Sequence, residues 1–127
     1  MAGHASLRVG LDLIEIERIR SALDRPRFRE RCFTETERDY CDSRANPAQS
    51  YAARFAAKEA VGKALGCGVR FTWKEIEIAG RPRPGVSLSG KTKAWAEKMK
   101  VERLDLSLTH SKGMAAAVAI LSLEEES

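Results

Sequence analysis

Between positions 54 and 66 the chain reads Arg54-Phe55-Ala56-Ala57-Lys58-Glu59-Ala60-Val61-Gly62-Lys63-Ala64-Leu65-Gly66. In a helix, residues three and four apart share a face, so Glu59 and Lys63 project together, as do Arg54 and Lys58. One face thus offers a carboxylate beside cations, a set suited to stabilising charge. The same spacing also describes a surface pair worth a few tenths of a kcal/mol, with its neighbours solvated. Asp12 directly precedes a helical pattern, where an aspartate often caps the helix or meets its positive end. His110 sits where a strand pattern enters a turn, a place where histidine is more often a surface or hydrogen-bonded group than a catalyst. Singly, each has a structural explanation.

The elements that position these groups follow from periodicity. Leu7, Val9, Leu11 and Leu13 alternate with Arg8, Gly10 and Asp12, the pattern of a half-buried strand, which points Asp12 away from the apolar face. Ile16, Ile19 and Leu23 then recur at helical spacing until Pro26, which puts Arg18 and Arg25 on a shared exposed side. Thr34-Glu35-Thr36-Glu37 has the form of a capping box and opens a second helix, carrying Asp39, to about Ser43. Asn46-Pro47 breaks the chain before an alanine-rich helix over about 48–65, closed by Gly66-Cys67-Gly68. A strand through Ile76 and Ile78, a turn at Arg81-Pro82-Arg83-Pro84-Gly85 and a strand over 86–89 read as a hairpin. A helix containing Ala94, Trp95 and Met99 comes next. Leu104, Leu106 and Leu108 alternate with Asp105, Ser107 and Thr109, and Ser111-Lys112-Gly113 turns into an apolar strand over 114–123. The expectation is an α+β fold with a largely antiparallel sheet and a long central helix.

The 127 residues suit a single domain, 1–127, with one core. With 43% hydrophobic and 31% charged residues, and no apolar run near the ~20 residues of a membrane helix, the chain reads as soluble, with no membrane partner. Met1-Ala2-Gly3-His4 has no features of a secretion signal, which predicts a cytoplasmic address. Cys32, Cys41 and Cys67 are odd in number and lack a Cys-x-x-Cys pair, so they read as reduced, mostly buried thiols. A formal net charge of +4 favours an anionic partner: a phosphate-bearing ligand, nucleic acid or an acidic protein. Arg18, Arg20, Arg25, Arg27, Arg29 and Arg31 crowd one stretch, by itself a solvated helical face.

Three segments together match one family in order and type. Val9-Gly10-Leu11-Asp12-Leu13-Ile14-Glu15-Ile16-Glu17-Arg18-Ile19 resembles the opening strand and helix of holo-acyl-carrier-protein synthases, the small bacterial 4′-phosphopantetheinyl transferases. The segment 54–66 resembles their central helix, and Ser107-Leu108-Thr109-His110 their late Ser-x-Thr-His strand end. The resemblance implies that fold and a magnesium-dependent transfer of phosphopantetheine from coenzyme A to a serine of an acyl carrier protein, in fatty acid or polyketide synthesis. It implies Asp12 and Glu59 as metal ligands, with Glu59 and Lys63 catalytic. Arg54, Lys58, Lys63, Thr109 and His110 would hold coenzyme A, while Arg18, Arg20 and Arg25 would dock the acidic carrier. Glu59 would orient or deprotonate the serine, with Asp39 a distant alternative. It further implies a homotrimer whose active sites lie between subunits, and the loops over 66–71 and 81–85 differ from the longer versions of many relatives. A basic nucleic-acid-binding module is the competing reading, but the sequence offers few aromatic stacking residues and no RNP-like element. A catalytically silent carrier-binding subunit is disfavoured because Asp12 and Glu59 are both present.

Overall fold

The computed structural model describes residues 6–66, 72–80 and 83–125. The elements follow in the order β1 (Ser6–Glu15), α1 (Ile16–Ala22), α2 (Phe28–Cys32), α3 (Glu35–Asp42), α4 (Pro47–Leu65), a 3-10 turn (Trp73–Glu75), β2 (Ile76–Ala79), β3 (Gly85–Leu88), α5 (Gly90–Met99), β4 (Val101–His110) and β5 (Met114–Leu123). Two antiparallel sheets form, one of order β1-β5-β4 and one pairing β2 with β3. The α+β expectation holds, with α4 as the long central helix.

Alanine governs how α4 packs. Ala52, Ala56, Ala57 and Ala60 are fully buried, and the sheet meets them with Ala115, Ala117 and Ala119 of β5 and with Gly10 of β1. Small side chains on both surfaces let backbone approach backbone and interiors close without voids. Asn46 accepts the Gln49 N–H at the start of α4, with Pro47 in its first turn, and Gly66 ends it in the left-handed conformation at φ 72°. The capping box is present as expected: Thr34 Oγ1 accepts from the Glu37 N–H, and the Glu37 carboxylate accepts from the Thr34 N–H.

Three expectations change. The alternation of β1 is real but its faces are reversed: Leu7, Val9, Leu11 and Leu13 are about 60% exposed or more, whereas Gly10, Asp12 and Ile14 turn toward α4. The small residues, not the leucines, are what the close-packed helix accepts. Secondly, α1 ends at Ala22, because Pro26 disfavours helical backbone at Arg25 and the intervening residues form turns. Arg25 therefore leaves the helical side it was expected to share with Arg18, and its guanidinium lies 5.8 Å from the Phe28 ring centroid. Thirdly, the five-residue α2 was not foreseen, since it is too short to show a helical period. Cys32 and Cys41 are free and buried as expected. The expectations at Met1 to His4, Cys67, Gly68, most of the 66–71 loop and Arg81-Pro82 lie outside the described residues.

Candidate active site

A Cβ at Gly10 would stand 1.7 Å from the Ala60 carbonyl oxygen, so the absence of a side chain there is what lets β1 and α4 meet. Two residues on, Asp12 faces the same helix. Lys63 reaches it across one turn, its Nζ donating to Asp12 Oδ1 at 3.1 Å and to the Leu11 carbonyl at 2.9 Å. Glu59 stands beside them, partly buried. Burial raises its carboxyl above the ordinary value, the Asp12 charge raises it further, and Lys63 and Arg18 oppose both effects. Glu59 has no hydrogen-bond or ion-pair partner among the described residues.

Two carboxylates that feel each other's charge in a half-buried place are a hard oxygen donor set, which fits a divalent cation. No cluster of three or more histidine, cysteine, aspartate or glutamate side chains stands among the described residues, so water or substrate oxygens would have to complete the ligands of such an ion.

Lys58 does not join this cluster. Its side chain is fully buried on another side of α4, where Nζ lies 2.7 Å from Glu37 Oε1 and donates to the carbonyls of Trp73 and Ile76. Burial pulls its pKa down, and the Glu37 carboxylate opposes part of that shift. Glu37 also accepts the Ile78 N–H at 2.7 Å. The expected contact of Lys58 with phosphate is thus corrected: its three donors are spent fastening α4 to α3 and to the start of β2.

Arg54 and His110 meet on a different flank, in a cavity of about 980 Å³ that also includes Tyr40, Arg44, Gln49 and Arg83. Arg54 is 6% exposed, its guanidinium 4.1 Å from the Tyr40 ring centroid, and its buried Nε has no hydrogen-bond partner. Arg44 lies over the same ring at 5.4 Å. Three guanidinium groups and an imidazole, near the N-terminus of α4, are a donor set that could hold an anionic ligand. Thr109 is exposed near the end of β4 and does not line it. Arg44, Arg83 and Tyr40 were not singled out in the sequence, although Arg44 stands just ahead of the Asn46 cap, where an anion-binding group is physically apt.

The expected site residues therefore fall into two groups. Asp12, Glu59 and Lys63 gather where β1, at one edge of the sheet, meets α4, whereas Arg54 and His110 line the cavity at β4, the other edge. Arg18 and Arg20 are exposed on α1, Arg20 paired with Glu17 at 2.9 Å, and Asp39 is exposed on α3 and does not line the cavity.

The sequence profile of the 4′-phosphopantetheinyl transferase superfamily matches residues 8–119. The chain belongs to that superfamily. Among curated relatives, the holo-[acyl-carrier-protein] synthase of Chlamydia trachomatis serovar D is 49% identical over 117 residues, covering 88% of this chain and 96% of its own. That of Caldanaerobacter subterraneus subsp. tengcongensis is 44% identical over 116 residues, covering 88% and 91%. The solved ACPS–CoA complex of Chronobacterium ammoniagenes superposes with a TM-score of 0.82 at 29% identity, over 94% of this chain and 99% of that one. This transferase is thus a holo-acyl-carrier-protein synthase in fold and family, as the resemblance implied. No helix among its described residues is long and apolar enough to cross a membrane.

Proposed function

We propose that the chain transfers 4′-phosphopantetheine from coenzyme A to a serine of an apo acyl carrier protein, magnesium dependent and with release of 3′,5′-ADP. The observation that carries this is the meeting of Asp12, Glu59 and Lys63 across β1 and α4 in a member of this family. Asp12 and Glu59 would hold the magnesium ion, with coenzyme oxygens completing its ligands, and it would draw charge from the phosphoryl oxygens. Lys63 neutralises charge developing on the pyrophosphate as the serine oxygen attacks the β-phosphorus and 3′,5′-ADP departs. Glu59, its carboxyl already raised by burial, orients the serine or takes its proton, directly or through water. Arg54 and His110, joined by Arg44 and Arg83, grip the phosphates of coenzyme A, for which arginine's forked donors are suited.

A homotrimer explains why these groups lie apart in one chain. Leu7, Val9, Leu11, Leu13 and Ile120 form an exposed apolar face on β1 and β5, which in a soluble protein marks a surface covered by a partner. Covering it with neighbouring subunits would set the carboxylate edge of one chain beside the cavity of the next. Arg18 and Arg20, with Arg25 beyond the helix end, offer positive charge to an acidic carrier. The buried free thiols Cys32 and Cys41 suit the reducing cytoplasm proposed for this enzyme.

Intact-mass spectrometry tests the reaction. Apo carrier incubated with the protein, coenzyme A and magnesium should gain the phosphopantetheine mass, and a chelator should abolish the gain. No gain with several bacterial carriers would overturn the proposal.

A further inference from the structure

Lys63 is half-exposed and has a flexible stem, yet its ammonium is turned back onto β1 rather than left in water. It forms no ion pair with Glu59, the i−4 neighbour that helical spacing offers; it donates to Asp12 Oδ1 and to the Leu11 carbonyl. No other cation forms an ion pair with Asp12 among the described residues, and Arg18 acts on Glu59 only through space. Among the described residues, the one cation ion-paired at the carboxylate pair is therefore a side chain of the helix that carries Glu59.

We infer that Lys63 is the resting occupant of the cation position: its ammonium neutralises Asp12 until a divalent ion takes that carboxylate, and is then released to meet the substrate's phosphates. The inference rests on the assignment of Asp12 and Glu59 as metal ligands. An ammonium and a divalent ion compete for the same oxygens, because each ligand lone pair directed at one is unavailable to the other. The Leu11 carbonyl gives the ammonium a second contact but no charge, so once Asp12 is taken Lys63 is held weakly and can move. Metal binding and phosphate binding are coupled by this exchange, since the ion makes available the cation that the phosphate needs. The resting pair also keeps two like charges from facing each other uncompensated while the site is empty.

The test is titration of the full-length protein with Mn²⁺, without coenzyme A, reading free ion by electron paramagnetic resonance. Lys63→Met keeps the length of the side chain and removes the competitor. A half-exposed pair is weak, so its loss should tighten Mn²⁺ binding by about fivefold. Arg18→Met controls for general positive charge and should tighten binding by less than about twofold, screened by solvent. Binding by Lys63→Met that is unchanged, weaker, or no tighter than that of Arg18→Met would overturn the exchange, while leaving the metal ligands in place. Asp12→Asn should lose the site; if it binds Mn²⁺ as the unaltered protein does, the metal assignment fails and this inference falls with it.

Discussion

Gly10→Ala adds a single carbon at the crossing of β1 and α4, and the structure sets the size of its effect. The backbone of Gly10 is not in the left-handed region, so alanine is conformationally acceptable there and only the contact matters. The new Cβ would lie 1.7 Å from the Ala60 carbonyl oxygen and 2.8 Å from the Ala64 nitrogen, both backbone atoms that no rotamer change can move. To regain an ordinary separation, α4 must retreat from β1 by about 1.5 Å, carrying Glu59 and Lys63 away from Asp12. Overpacking of this kind costs about 3 kcal/mol, which for a chain of this length lowers Tm by roughly 10 °C. A misplacement beyond 1 Å also lowers turnover by about a hundredfold. Calorimetry and the carrier-modification assay, run on the folded variant, measure the two effects separately. A Gly10→Ala protein with unaltered Tm and turnover within about twofold of the parent would refute the argument that this contact sets the site.

Lys58→Met should cost about 3–5 kcal/mol in denaturant unfolding, because it strands the buried Glu37 charge; a loss under about 1 kcal/mol would show the pair is not needed for the fold. Glu59 has a raised folded-state pKa, so the native state holds its proton more tightly than the unfolded chain. Stability of the metal-free protein should therefore fall as pH rises from the unfolded carboxyl value through the raised one. Glu59→Gln should raise Tm at about pH 8 and leave it nearly unchanged at about pH 4, and an equal shift at both would contradict the burial argument. Leu11→Lys, on the exposed apolar face, should dissociate the proposed homotrimer in light scattering without lowering the helix content of the subunits, whereas an unchanged mass would remove that face from the proposed interface.

Much of this fold was legible because local signals and tertiary needs agree. The capping box at Thr34, the glycine stop at Gly66 and the alternation of β4 each report backbone geometry directly. The faces of β1 were not legible, because hydrophobicity alone assigns leucine inward, while close packing against an alanine-rich helix selects Gly10 instead. Lys58 illustrates the same limit: its spacing from Arg54 put both on a helical face, but nothing local shows that Glu37, far earlier in the sequence, buries itself against it. The Asp12–Lys63 contact spans 51 positions and depends on the strand-to-helix crossing, so periodicity could offer only the nearer Glu59 as partner. Arg44 and Arg83 were passed over because the cavity that joins them to Arg54 is made by distant segments.

The central claim is that one active site combines the carboxylate edge of one subunit with the cavity of its neighbour, and complementation measures this directly. Asp12→Asn and Arg54→Ala chains, each inactive alone, are co-expressed with different tags and the mixed oligomers isolated. If neighbouring chains of a trimer share each site, every mixed trimer joins an intact Asp12 to an intact Arg54 at one of its three sites, and carrier modification should recover to about a third of that of the unaltered protein. Mixed oligomers no more active than the two parents would place both groups within a single chain and contradict the account.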